Sequence, residues 1–282
     1  MPPCIGLCAN IELARISGYV VHETYGTAPR NPRNVDYETG ADTALKMLDS
    51  WHSRLPTQLR MPLQLNSDEV LRDPSCCTMH MSYNHLIILT TRPIFFAAIM
   101  KVVAQRIVNE SNSPRRPTHE RHIRTCTEAA QRNVQLARLL QSTNRSWLQS
   151  GLHFLFNAAV VLLLDRISSA YEGSVDTDKS HGLHDTEIVF AIRVFEQEAE
   201  TGTNYQADCC KALQGLRALS DRCLVTLSTQ QRLGARNNHT ASPRPATPSD
   251  PKTSNGMGTD YTIHHEMLLW SQADNLQATL CL

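Results

Sequence analysis

Neither sign of charge is in excess in this chain: 27 lysines and arginines face 27 aspartates and glutamates. That balance excludes a protein that coats nucleic acid or an anionic membrane by bulk charge. Glycine and proline are scarce, at 12 and 14 of 282 residues, so a turn-rich β architecture is disfavoured. The nine cysteines include no C-x-x-C pair, the spacing that aims two thiolates at one zinc ion. No G-x-x-x-x-G-K-[ST] loop, G-x-S-x-G elbow or H-E-x-x-H helix is present. The common phosphate-binding, serine-nucleophile and zinc-hydrolase sites are therefore not expected. An aspartate-rich magnesium motif is also missing; Asp68, Glu69 and Asp73 come nearest and read as solvated loop charges. The longest apolar run, 151–164, is broken by His153 and Asn157 and falls short of the ~18 residues of a membrane span. The opening Met1-Pro2-Pro3-Cys4 is not a secretory signal. These absences describe a soluble, intracellular protein with reduced thiols and no membrane partner.

What the chain has instead is helical periodicity. The apolar share is 41% and the charged share 19%, which suits a globular core. Ile11, Ala14, Gly18, Val21 and Tyr25 predict one buried face on a helix over 7–25. Ala41, Leu45, Leu48, Trp51 and Leu55 predict a second helix, ended by Pro56. Asp73 and Pro74 are a cap and a first helical residue, and Met79, Tyr83, Leu86 and Thr90 line the helix that follows. Pro93 is expected to remove the hydrogen bond to the Leu89 carbonyl and kink that helix.

Ile123, Cys126, Ala130, Val134, Ala137 and Leu140 mark a fourth helix, and 148–170 a fifth that is apolar all round and belongs at the centre of a bundle. A polar loop is expected over 172–184, then a short helix over 185–200. Cys209, Leu213, Leu216, Leu219, Cys223 and Leu227 stripe the next one. The expected organisation is an all-α, irregular multi-helix bundle over 1–233. A disordered Pro/Ser-rich linker over 234–260 and a short amphipathic helix over 261–282 follow.

Few residues invite a chemical reading. His119 and His122 are three apart, as are His181 and His184, but neither pair has a third ligand nearby in sequence. They read as surface histidines, so no metal and no cofactor is expected. Arg115, Arg116, Arg121 and Arg124 form a small basic cluster, read as a solvated loop rather than a localisation signal or phosphate contact. His80 and Arg92 flank the stripe of the third helix. They either lock helix packing through hydrogen bonds or line a small-molecule pocket between helices.

Three segments occur in an order that resembles one family. They are Glu12-Leu13-Ala14-Arg15-Ile16-Ser17-Gly18, then Trp51 to Leu55-Pro56 and Leu59, then Met79-His80-Met81-Ser82-Tyr83 running to Thr91-Arg92-Pro93. The chain is similar in these to the later half of the fungal-specific transcription factor domain, the all-helical regulatory region of fungal zinc-cluster factors. The resemblance spans roughly residues 7–227. It implies a nuclear regulator of transcription whose partners are the transcription machinery or other transcription factors, with a small-molecule effector as a further possibility. It singles out Trp51, His80, Tyr83, Arg92 and Pro93 as a pocket or packing motif. The family's six-cysteine zinc cluster has no counterpart here: Cys4 and Cys8 do not fit its opening. Zinc is thus expected only in a longer relative, and DNA only through a missing domain or a partner. The competing classes are a helical interaction scaffold, an all-α enzyme and a direct DNA binder.

Overall fold

The 3.6-residue spacing of apolar side chains is realised as helix throughout. The computed structural model describes residues 3–25, 37–61, 74–107, 119–142, 147, 149–172, 177–202 and 204–238. Seven helices occupy them: α1 (Pro3–Tyr25), α2 (Tyr37–Arg54), α3 (Pro74–Ile107), α4 (Glu120–Ser142), α5 (Gln149–Glu172), α6 (Thr177–Thr201) and α7 (Asn204–Asn238). A 3-10 turn spans Thr57–Leu59, and no strand occurs among the described residues. The fold is all-α.

The central helix is α5. Leu152, Leu155 and every residue from 158 to 164 are buried, so no side of this stretch reaches solvent. Burying each Leu or Val contributes about 1.5–3 kcal/mol, which rewards enclosing the helix on all sides. Helices α3 and α4 pack on it and on each other, and α6 packs on it and touches α4. Helices α1 and α2 pack on one another and on α3. By length and composition, Pro74–Val102 and Gln149–Ser169 are long and apolar enough to cross a bilayer. Here, 56% and 72% of their apolar windows are covered by the rest of the protein.

Helix ends follow local chemistry. Pro74 opens α3; Asp73, its expected cap, lies outside the described residues. Arg60 closes α2, donating from Nε to the Leu55 carbonyl at 2.8 Å and from Nη2 to the Ser53 carbonyl at 2.9 Å. Those are carbonyls that a helix C-terminus leaves without an internal donor. Helix α3 continues through Pro93 to Ile107. In the turn before the proline, Thr90 and Thr91 donate their hydroxyls to the Leu86 and Ile87 carbonyls, both at 2.8 Å.

The predicted stripes of α2 and α3 are the buried ones. On α4 Cys126, Ala130, Val134 and Ala137 are buried while Ile123 and Leu140 at its ends are half-buried, and on α7 Cys209, Leu213, Leu219 and Cys223 are buried while Leu216 is half-buried. On α1 the expected face is the wrong one. Ala9, Leu13, Ile16 and Val20 are buried, while Ile11 and Val21 are 46% and 38% exposed and Leu7 is 61% exposed. Two apolar stripes run along this helix at the same spacing, and periodicity cannot choose between them. The buried one carries three bulky side chains in succession, whereas the other is interrupted by Ala14 and Gly18. Packing the first therefore removes more apolar surface from water.

Two boundaries also move. Helix α6 starts at Thr177, eight residues before the expected Asp185, because 177–183 is helical without an apolar stripe to announce it. Helix α7 runs to Asn238, past the expected linker start at Gly234. Residues 1–234 form one compact unit, and of the second unit (235–282) only the last turn of α7 is described. The rest of the expected linker and the whole 261–282 segment lie outside the described residues.

The two faces of α1 make separable predictions. Leu13→Ala should lower unfolding stability by ~2–5 kcal/mol. Ile11→Ala should cost less than ~1 kcal/mol, as exposed substitutions do. Urea denaturation of both variants measures this.

Candidate functional site

The motif residues of α2 and α3 meet in one cluster. Trp51, 1% exposed, lies on the inner stripe of α2. Its indole Nε1 donates to the Ala9 carbonyl of α1 at 3.0 Å, so one side chain ties α1 to α2. Its ring stacks on Tyr83 of α3, with centroids 5.3 Å apart and planes 23° from parallel. His52 stacks on the same Tyr83 at 5.2 Å and 24°. His80 meets both edge-on, 6.5 Å from Trp51 and 5.9 Å from His52. Its Nε2 donates to the Leu59 carbonyl at 2.7 Å, and Cys76 Sγ donates to the same oxygen at 3.4 Å. The 3-10 turn after Pro56 presents that carbonyl to α3. His52 is the member that sequence reasoning misses; its only signal is its place next to Trp51.

The cluster is uncharged at neutral pH. Burial lowers the pKa of His52, and Arg132 adds to this while Asp49 opposes it. Burial likewise lowers His80, against the opposing effect of its bond to Leu59. Burial and Asp49 push the Tyr83 hydroxyl up to about 12. With neutral imidazoles and a protonated phenol, this arrangement supplies stacking and hydrogen bonds rather than a poised acid or base.

Arg92 and Pro93 are not in this cluster; nine residues beyond Tyr83, Arg92 lies about 14 Å farther along the helix. Arg92 is 4% exposed and belongs with a second buried polar group. There the His85 and His153 rings meet edge-on at 5.1 Å, and His85 also contacts Phe154 at 4.7 Å. His153 Nδ1 lies 3.3 Å from the Tyr205 hydroxyl, linking α5 to α7. Asn157 donates to the His153 carbonyl at 3.0 Å. Burial, then the Arg92 charge, lowers His153 to about 4. Burial lowers His85 well below the usual range, helped by His153 and Arg92. Burial raises Cys126 to about 12. Every buried titratable group here is held in its neutral form, and Arg92 carries the charge.

A third group joins α4, α5, α6 and α7 and has no sequence motif. His184 Nε2 lies 3.4 Å from Asp165 Oδ2, and its Nδ1 lies 3.6 Å from Glu187 Oε2. The second separation is an ion-pair distance without a hydrogen bond. Thr127 donates to Asp165 at 3.2 Å. Arg166 pairs with Asp221 at 2.9 Å and with Asp185 at 3.7 Å, and Arg217 reaches Asp185 at 3.2 Å. Burial by itself would lower the His184 pKa, but Asp165 and Glu187 together raise it to about 9. His184 is thus a buried cation between two carboxylates, and not the surface histidine expected from its sequence context.

No family model, no curated protein and no solved structure matches the chain.

Trp51→Phe keeps an aromatic ring for the stack and removes only the bond to the Ala9 carbonyl, which retains its helical N–H donor, so it should cost ~0.5–1.5 kcal/mol. Trp51→Ala should cost ~3–5 kcal/mol. Thermal and urea melts distinguish the two losses. For His184 the folded pKa lies above the ~6.5 of an unfolded histidine. Its contribution is therefore fully present below about pH 6.5 and is lost as pH rises through about 9. The stability of the unmodified chain should fall over that window by up to roughly 3 kcal/mol more than that of His184→Gln. Denaturation profiles that run parallel in both proteins would contradict this.

Proposed function

We propose that this chain is the regulatory helical domain of a fungal zinc-cluster-type transcription factor, sensing a ligand or partner. On this reading it works in the nucleus on the transcription machinery or on other transcription factors, and reaches DNA through a domain or partner outside these residues. The observation that supports it is convergence. Trp51, Leu55, Leu59, His80 and Tyr83 carry the family-like pattern, and they meet where α1, α2 and α3 join. Residues spaced over 33 positions of sequence thereby act as one packing unit, which gives their order and spacing a physical reason.

A helical interaction scaffold is the second reading. It is favoured by the exposed side chains of Leu7, Ile11 and Val21 on α1.

The proposal is tested by tethering the full chain to a heterologous DNA-binding domain in a fungal cell with a reporter. Reporter output should change several-fold on tethering, and a fluorescent fusion of the full chain should accumulate in the nucleus. An inert tethered chain that is also excluded from the nucleus rejects the regulator reading in favour of the scaffold.

A further inference from the structure

We propose that Glu38, His119 and His122 form a binding site for a divalent transition-metal ion of the zinc class, with Asp42 as the carboxylate that orients His122. One donor atom from each of Glu38, His119 and His122 lies within 4.8 Å of the other two. The backbone sets up this meeting. Glu38 and Asp42 are four apart in the first turns of α2 and share a face. His119 and His122 are three apart where α4 begins, and the His119 carbonyl accepts the Ile123 N–H at 3.1 Å. Two carboxylates from one helix thus face two imidazoles from another, across 80 positions of sequence.

The distances suit a metal. Zinc–nitrogen and zinc–oxygen bonds of ~2.0–2.2 Å place tetrahedral ligands about 3.3 Å apart. His119 Nδ1 and Glu38 Oε1 are 3.5 Å apart. Further contraction falls to the Glu38 side chain, which is 53% exposed and free to change rotamer. A second observation points to a ligand: His119 Nδ1 is shielded from solvent yet makes no hydrogen bond. A buried ring nitrogen facing a carboxylate without bonding it lacks what a cation between them would supply.

His122 is 4% exposed, and its Nε2 donates to Asp42 Oδ1 at 3.1 Å. A carboxylate oxygen accepts, so Nε2 donates in this bond and Nδ1 is the ring nitrogen that a metal would take. This is the carboxylate–histidine–metal relay that fixes the tautomer and orientation of a ligand. Two imidazoles and one carboxylate suit zinc, and three protein ligands leave a fourth position to water. The site shares no residue with any cysteine cluster and is independent of the regulatory reading above. Its effect on the fold would be to pin the start of α4 to α2.

The test uses the full chain, stripped with a chelator and titrated with Zn²⁺ by calorimetry, then with Co²⁺ followed by visible absorption. One ion per chain is expected to bind and to raise Tm. Cobalt should show the d–d bands of a nitrogen and oxygen site without thiolate charge transfer. His119→Gln, His122→Gln and Glu38→Gln should each weaken binding by roughly a hundredfold or more, and Asp42→Asn by roughly tenfold to a hundredfold. Glu38 and Asp42 are partly exposed, so Glu38→Gln and Asp42→Asn test the site in a folded chain. The proposal fails if no ion binds below about millimolar concentration. It also fails if folded Glu38→Gln binds like the unmodified chain, or if thiolate charge transfer shows that cysteines hold the metal.

Discussion

The enclosure of α5 is the constraint on which the rest of the structure depends. From residue 158 to 164 this helix has no polar side to give to water, so it can exist only surrounded. That requirement is met by α3, α4 and α6, which all pack against α5. It also explains the amphipathicity of α4, which buries Cys126, Ala130, Val134 and Ala137 while presenting Arg124, Glu128 and Arg138 outward. Small alanines on the buried face let α4 approach closely. The bulk needed to fill the centre is supplied by α5 itself.

Polar groups inside this bundle are handled by two different routes. Around Arg92 the histidines are neutralised by burial, and one charge remains among groups that hold none. Around His184 the opposite holds: a histidine is kept charged because two carboxylates reach it from α5 and α6. The difference is the availability of counter-charge. His153 and His85 face Arg92, which disfavours a second cation, whereas Asp165 and Glu187 favour one. Such buried pairs contribute less to net stability than their Coulomb attraction suggests, because removing both charges from water has its own cost. Their larger effect is to fix which faces of α5, α6 and α7 meet.

Much of this was legible in the sequence, for a physical reason. Where a helix has one apolar stripe, as in α2 from Ala41 to Leu55, spacing alone identifies the buried face. Where it has two, as in α1, the choice is made by the partner surface, here by the Ala9 carbonyl that receives the Trp51 indole and by the bulk of Leu13, Ile16 and Val20. Trp51, His80 and Tyr83 could be singled out together, but their separation from Arg92 follows only from the axial rise of α3. The histidine pairs could not be interpreted from sequence at all. The groups that give them meaning, Glu38 and Asp42 for one and Asp165 for the other, are remote along the chain.

Helix α2 connects to three neighbours by contacts of different kinds. Its inner stripe packs on α1 and α3, Trp51 and His52 carry the stack on Tyr83, and its first turns reach the start of α4 through Glu38 and Asp42. The first two connections are apolar and closely packed, so they resist small displacements. The third is polar: His119 and Glu38 form a half-exposed pair, which contributes little by itself in water, while His122 is buried against a partly exposed Asp42. The seam between α2 and the start of α4 is thus held by polar contacts, where the other two connections of α2 are apolar. An ion held by Glu38, His119 and His122 would tie the first turn of α2 to the start of α4 by a bond that neither apolar core supplies.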